Sequence, residues 1–187
     1  MLMSEPSKIE ALPARERILL TAYRLFYRHG IRATGVDRVI AEAKVTKVTF
    51  YRHFPSKNQL VFEFLDYRHR RWMDWFSQSL ATHGGNLAAL VPTLREWLGD
   101  ADYRGCAFIN SLGELGTTVP EIADITRRHK QEMNRSIAGL LPDPRSRKAA
   151  EKAAIIGMAV DGAIVGAQYA KPAETVLNRL QALLDKL

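Results

Sequence analysis

Apolar residues recur along most of this chain at intervals of three and four, the spacing that lines one face of a helix, and no run alternates convincingly as a strand would. Ile18, Ala22, Leu25 and Phe26 form the stripe of a first helix, predicted to begin near Pro13 and to close at Gly30. Val36, Val39, Ile40 and Ala43 predict a short second helix, with Thr34 as N-cap and Asp37 in capping-box position. Thr46 then caps a third, from Lys47 to Phe54, in which Phe50 and Phe54 share one side while Val48 and Arg52 fall on the other. Pro55 interrupts it, and Ser56 with Gln59 forms a new capping box at the start of a long helix reaching about Ala81. Its apolar positions are Leu60, Phe64, Trp72, Trp75 and Phe76.

The breaks downstream are equally legible. The paired glycines of His83–Asn86 end the long helix, and a further helix is expected over Leu87–Leu98, kinked by Pro92. The small-residue apolar stretch Tyr103–Leu115 predicts a buried helix containing Asn110 and Glu114. Thr118 and Glu121 suggest a capping box for a helix carrying Ile122, Ile125, Met133, Ile137 and Leu140. Asp143 and Pro144 are expected to start the next, to about Ala170, and Ala173–Leu187 the last. The expectation is an all-α chain of about nine helices: a three-helix head over residues 1–57 and a larger helical body over 58–187. Residues 1 to about 12 read as a frayed arm, with a partner contact through Lys8 as the alternative reading.

Within this pattern the stretch Thr34–Lys57 stands apart. Two short helices around a tight turn, with aromatic anchors on one side and polar and basic groups on the other, make a helix-turn-helix, in which the second helix enters the major groove of DNA. Charge sharpens this reading. Residues 1–57 hold 11 Lys+Arg against 5 Asp+Glu, a balance of +6, which leaves 16 against 15, or +1, for the remainder of a chain whose net charge is +7. A basic patch alone is usually a solvated face; here it coincides with the motif.

The run IAEAKVTKVTFYRHFPSKNQL, above all TFYRHFPSK, resembles the signature of the tetracycline-repressor-type (TetR) family of transcriptional regulators. The resemblance implies that Thr46, Lys47, Val48 and Thr49 approach base edges or phosphates, that Tyr51, His53 and Lys57 lie on phosphates, and that Thr34 and Arg38 assist from the preceding helix; Arg52 joins them on the outward side. Two departures stand out. Lys44 occupies a turn position where the family commonly has Gly, which costs on the order of 1 kcal/mol if the backbone there is left-handed. Val48 replaces a frequent Gly on the reading face and suits contact with a thymine methyl.

For the body, the resemblance implies a pocket for a small apolar or amphipathic effector. The candidates are Trp72, Trp75, Phe76, Trp97, Tyr103, Cys106, Phe108, Asn110, Met133, Met158 and Asp161. Aromatic and Met residues at helical spacing equally well form ordinary core, whereas polar groups in apolar helices require partners. Gly157, Gly162, Ala163 and Gly166 leave one late helix with little bulk, and Val176, Leu177, Leu180, Leu183 and Leu184 stripe the last. These faces pack either within one subunit or against a second copy; the resemblance favours a homodimer through the last two helices, reading a near-palindromic operator.

Composition excludes little but usefully. With 47% hydrophobic and 25% charged residues the chain is globular, and its single cysteine precludes an internal disulfide framework. The opening residues lack a secretory core and the longest apolar run, broken by Asp161, is too short for a bilayer, so a cytoplasmic location without membrane association is expected. No metal, cofactor or enzymatic spacing is evident. The leading expectation is a dimeric repressor released from double-stranded DNA by a small-molecule effector. The alternatives are a redox-sensing regulator acting through Cys106, with Arg104 favouring its thiolate, and a helical ligand-binding protein without DNA function.

Overall fold

The computed structural model describes residues 11–187, so the suggested DNA contact of Lys8 lies outside the described residues. Among them are nine α-helices and no strand: α1 Ala14–His29, α2 Val36–Glu42, α3 Lys47–His53, α4 Lys57–Thr82, α5 Leu90–Leu98, α6 Ala107–Leu115, α7 Glu121–Ala138, α8 Arg147–Gly166 and α9 Glu174–Leu184, with one 3-10 turn at Leu87–Ala89. They form two compact units. The first comprises the chain up to Arg71 together with Ala107–Thr126, and the second Trp72–Cys106 together with Arg127–Leu187. The boundary expected after Lys57 falls at the first residue of α4, and the first unit runs past it to Arg71.

In the first unit, α1, α2 and α3 pack on one another around Ile18, Ala22, Phe26, Val39, Ala43, Phe50 and Phe54, all buried. Leu60, Val61, Phe64 and Leu65 of α4 are buried too, and the Phe64 ring meets Tyr23 and Phe26 edge-on at 5.7 and 5.5 Å. Burying each such side chain contributes roughly 1.5–3 kcal/mol, which is what holds helices as short as α2 and α3, seven residues each, that would not persist alone.

In the second unit, α9 packs on α8 and on α5, and Arg95 of α5 pairs with Glu174 of α9 at 2.7 Å. Tyr103 donates its hydroxyl to the Ile164 carbonyl at 2.5 Å, tying the loop before α6 to α8. The α7 and α8 backbones approach closely at Gly157, where an added Cβ would stand 2.0 Å from Asn134 Oδ1.

Several expected helix ends are corrected. Gly35, not Thr34, is the N-cap of α2 and provides no side-chain bond, because the Thr34 hydroxyl donates instead to the Gly30 carbonyl at 2.7 Å. Thr118 likewise turns back to Leu115 and does not open α7. Helix α6 begins at Ala107, leaving Tyr103–Cys106 as a loop with Gly105 at φ +82°, and α8 begins after Ser146, whose hydroxyl accepts from the Ala149 amide. Asp143 lies upstream at φ +49°. Pro92 makes no break, since it stands in the first turn of α5, where an amide has no helical acceptor to lose.

Candidate nucleic-acid interface

The reading helix is built by its own N-terminus. Thr46 is extended at φ −82°, ψ 158°, and its Oγ1 accepts from the Thr49 amide at 3.1 Å, satisfying one of the donors that a helix start leaves open. Phe50 and Phe54 are fully buried and pin α3 to the head. That anchoring turns the opposite side outward: Lys47 and Arg52 are exposed, Val48 is 69% and Tyr51 43% exposed, and Thr49 and His53 are half-buried. No acidic residue interrupts Lys47–His53. The result is a short, outward, cationic helix carrying hydroxyl donors and one apolar side chain, the mixture that base edges and phosphates accept.

The turn that aims it carries stress at a known place. Lys44 has φ +52°, the left-handed conformation at which a Cβ costs on the order of 1 kcal/mol. Arg17 supplies a support that sequence reading missed. Its Nε donates to the Ala43 carbonyl at 3.1 Å and Nη2 to that of Lys44 at 3.3 Å, gripping the end of α2 from α1. Glu42 bridges the same helices, pairing with Arg24 at 2.6 Å and Arg38 at 2.9 Å. Arg38, which also approaches His29 Nε2 at 3.3 Å, is therefore oriented on the surface.

Two expected contact residues are engaged elsewhere. Thr34 is fully buried, its hydroxyl and amide bonded to Gly30 and Ile31. Lys57 is half-buried and donates its ammonium to the Ile31 carbonyl at 2.6 Å. Desolvation draws its pKa down, partly offset by the Glu114 carboxylate. Glu114 itself accepts the Arg32 amide at 2.7 Å and lies against Gly30, at φ +86°, so that the end of α6 clasps the α1–α2 turn. Only the apolar setting of Glu114 hinted that it needed a partner.

Of the effector candidates, the second unit brings Trp72, Trp75, Phe76, Trp97 and Tyr103 together: Trp72 stacks on Phe76 at 4.5 Å and meets Trp97 at 5.5 Å, and Trp97 meets Tyr103 at 5.4 Å. His129 is buried against Trp72, with the ring centres 5.2 Å apart. The Nε1 donors of Trp72 and Trp75 are buried and meet no acceptor among the described residues. Met133 is buried core. Met158 is 76% exposed and faces away from any interior, and Asp161 is held by Lys130 at 2.5 Å. Phe108 and Asn110 belong to the first unit, where Phe108 meets His69 edge-on at 6.4 Å. Cys106 is buried, and Arg104 Nη1 donates to the Ala101 and Tyr103 carbonyls.

Head and fold together define a helix-turn-helix transcription regulator. Residues 18–64 match the family model of bacterial regulatory proteins, tetR family. Over 58 residues the chain is 36% identical to the probable acrEF/envCD operon repressor of Escherichia coli (strain K12), a match spanning 31% of this chain and 26% of that protein. The chain thus spans about a quarter of that curated relative. Over nearly its whole length it resembles SCO4454, a TetR-family transcriptional regulator from Streptomyces coelicolor, with a TM-score of 0.80 and 28% identity, covering 92% of this chain and 95% of the other. The reduced form of E. coli NemR shares the fold at a TM-score of 0.76 and 18% identity, over 91% and 96%. Residues 18–64 thus carry the tetR-family regulatory domain, and the whole chain shares the fold of TetR-family transcriptional regulators. No helix among the described residues is long and apolar enough to cross a membrane.

Proposed function

We propose that the protein is a ligand-responsive repressor that binds a near-palindromic operator as a homodimer. The observation that carries this is the α3 surface, where Lys47, Val48, Tyr51 and Arg52 stand outward without an acidic neighbour on that helix while Phe50 and Phe54 fix its attitude. Thr46, Thr49 and His53 complete the contact surface, with Arg38 flanking it. Repression is supported by the likeness of the head to an E. coli protein described as a probable operon repressor.

Dimerisation rests on α8. Ile155, Met158, Val165 and Tyr169 are 54%, 76%, 39% and 79% exposed, and with Gly162 they follow helical spacing along one face and into the turn beyond it. Leu183 and Leu187 are exposed nearby in sequence to the end of α9. Such a contiguous apolar face calls for a cover, and a second copy crossing at Gly162 supplies one with twofold symmetry. The tryptophan cluster, with two indole donors that find no acceptor, is the effector site; an occupant releases the operator by preferring the DNA-incompetent conformation.

Selection of bound duplexes from a random pool tests the reading. Recovery of a palindrome supports head, dimer and spacing together, and a protein that retains no duplex at low salt refutes them. Lys47→Ala is expected to weaken binding to the recovered site and to lower the slope of log K against log salt by about one, with the fold unchanged by circular dichroism.

A further inference from the structure

The first compact unit contains a pair of cations whose surroundings differ from those of its ion-paired arginines. Arg15, Arg24, Arg38 and Arg70 each meet a carboxylate, from Glu63, Glu42, Glu42 and Asp66. Arg68 and Arg71, one turn apart on α4, meet none among the described residues, yet Arg68 is only 2% exposed and Arg71 is half-buried. Arg68 Nη1 donates to the Tyr23 hydroxyl at 2.5 Å, and its guanidinium lies over the rings of Tyr27 at 4.2 Å and Tyr23 at 5.7 Å. Arg71 repeats the arrangement with Tyr67, donating to its hydroxyl at 3.1 Å with the ring centre 5.6 Å away. The two tyrosine rings meet edge-on at 5.5 Å, so the four side chains form one cluster.

The cluster has more donors than acceptors. Arg68 Nη2 and Arg71 Nε are buried and have no hydrogen-bond partner among the described residues. Each tyrosine oxygen already accepts from an arginine, and neither phenolic proton has an acceptor among the described residues. Burial pushes the Tyr23 phenol up, against the opposing pull of Arg68, so it stays a neutral donor and gives the cations no countercharge. Ring faces offset part of the desolvation of a guanidinium but leave its N–H groups unsatisfied. The cluster therefore presents donors and positive charge with no anion, against an apolar wall that includes Phe64 at 5.7 Å from Tyr23.

The geometry points to a carboxylate-binding site formed by Arg68, Arg71, Tyr23 and Tyr67, which takes the acid group of a small amphipathic molecule entering past Arg71. A carboxylate has two oxygens with room for four donors, and guanidinium groups match it in plane and charge. Its apolar remainder lies on the adjoining rings. The assignment does not depend on the repressor reading.

Calorimetric titration of the full-length protein with octanoate, at fixed ionic strength and without DNA, tests it. Saturable octanoate binding is expected, at least about tenfold tighter than that of 1-octanol, as the loss of a charge-assisted hydrogen bond implies. Arg71→Gln, at a half-exposed position that the fold tolerates, is expected to weaken octanoate by a similar factor and leave 1-octanol unchanged; Arg68→Gln, if folded, does the same. Absence of saturable octanoate binding, equal binding of acid and alcohol, or an Arg71→Gln protein that binds octanoate like the parent overturns the assignment. Operator release by octanoate is a separate measurement, and its failure bears on the effector reading alone.

Discussion

Lys44 shows how one residue records a compromise. Its backbone is left-handed at φ +52°, and the position is held by the Arg17 guanidinium on the neighbouring carbonyls. Lys44→Gly is expected to stabilise the head by roughly 0.5–1 kcal/mol in a urea melt, because the Cβ strain is removed; an unchanged midpoint would mean that the loss of unfolded-chain restriction cancels it. The sequence raised this conformation only as a condition, through the Gly common at that turn position in the family it resembles, and the backbone meets it. The Arg17 grip was not, since it joins residues 26 and 27 apart in the chain and no local pattern encodes such a pairing.

At the scale of elements, α3 is short enough that its cap matters. Thr46→Ala is expected to cost about 1 kcal/mol and to weaken operator binding in proportion to the frayed population, readable as a drop in both melting temperature and affinity. The clasp between α6 and the α1–α2 turn has a different signature. Glu114→Ala removes the acceptor of the Arg32 amide and the anion facing Lys57, and is expected to destabilise by roughly 1.5–3 kcal/mol in denaturant titration. Glu114→Gln keeps an acceptor and should recover most of that loss. Helix positions followed from apolar spacing, but some ends did not: Thr34 and Thr118 had the right chemistry to cap forward and bonded backward, a choice made by the chain each was folded against.

At the scale of the whole molecule, the exposed face of α8 is the feature that one chain leaves unexplained. An added Cβ at Gly162 meets nothing within 4 Å in the same subunit, so Gly162→Arg should fold normally and yet block a second copy. The expected result is a monomer by analytical ultracentrifugation with an unaltered helical spectrum and much weaker operator binding. A dimer that survives the substitution would exclude this face as the interface.

The sequence by itself determined an all-helical chain, the outward side of α3 and the basic head, because helical periodicity, caps and aromatic anchors act over a few residues and are written where they act. Tertiary structure alone decided that Met158 faces outward and Met133 inward, that His129 lies against Trp72, and that Arg68 is buried among tyrosines with no carboxylate partner among the described residues. Those outcomes depend on which distant side chain fills the space beside each residue. Arg68 and Tyr23 are 45 positions apart, and nothing local to either specifies the other.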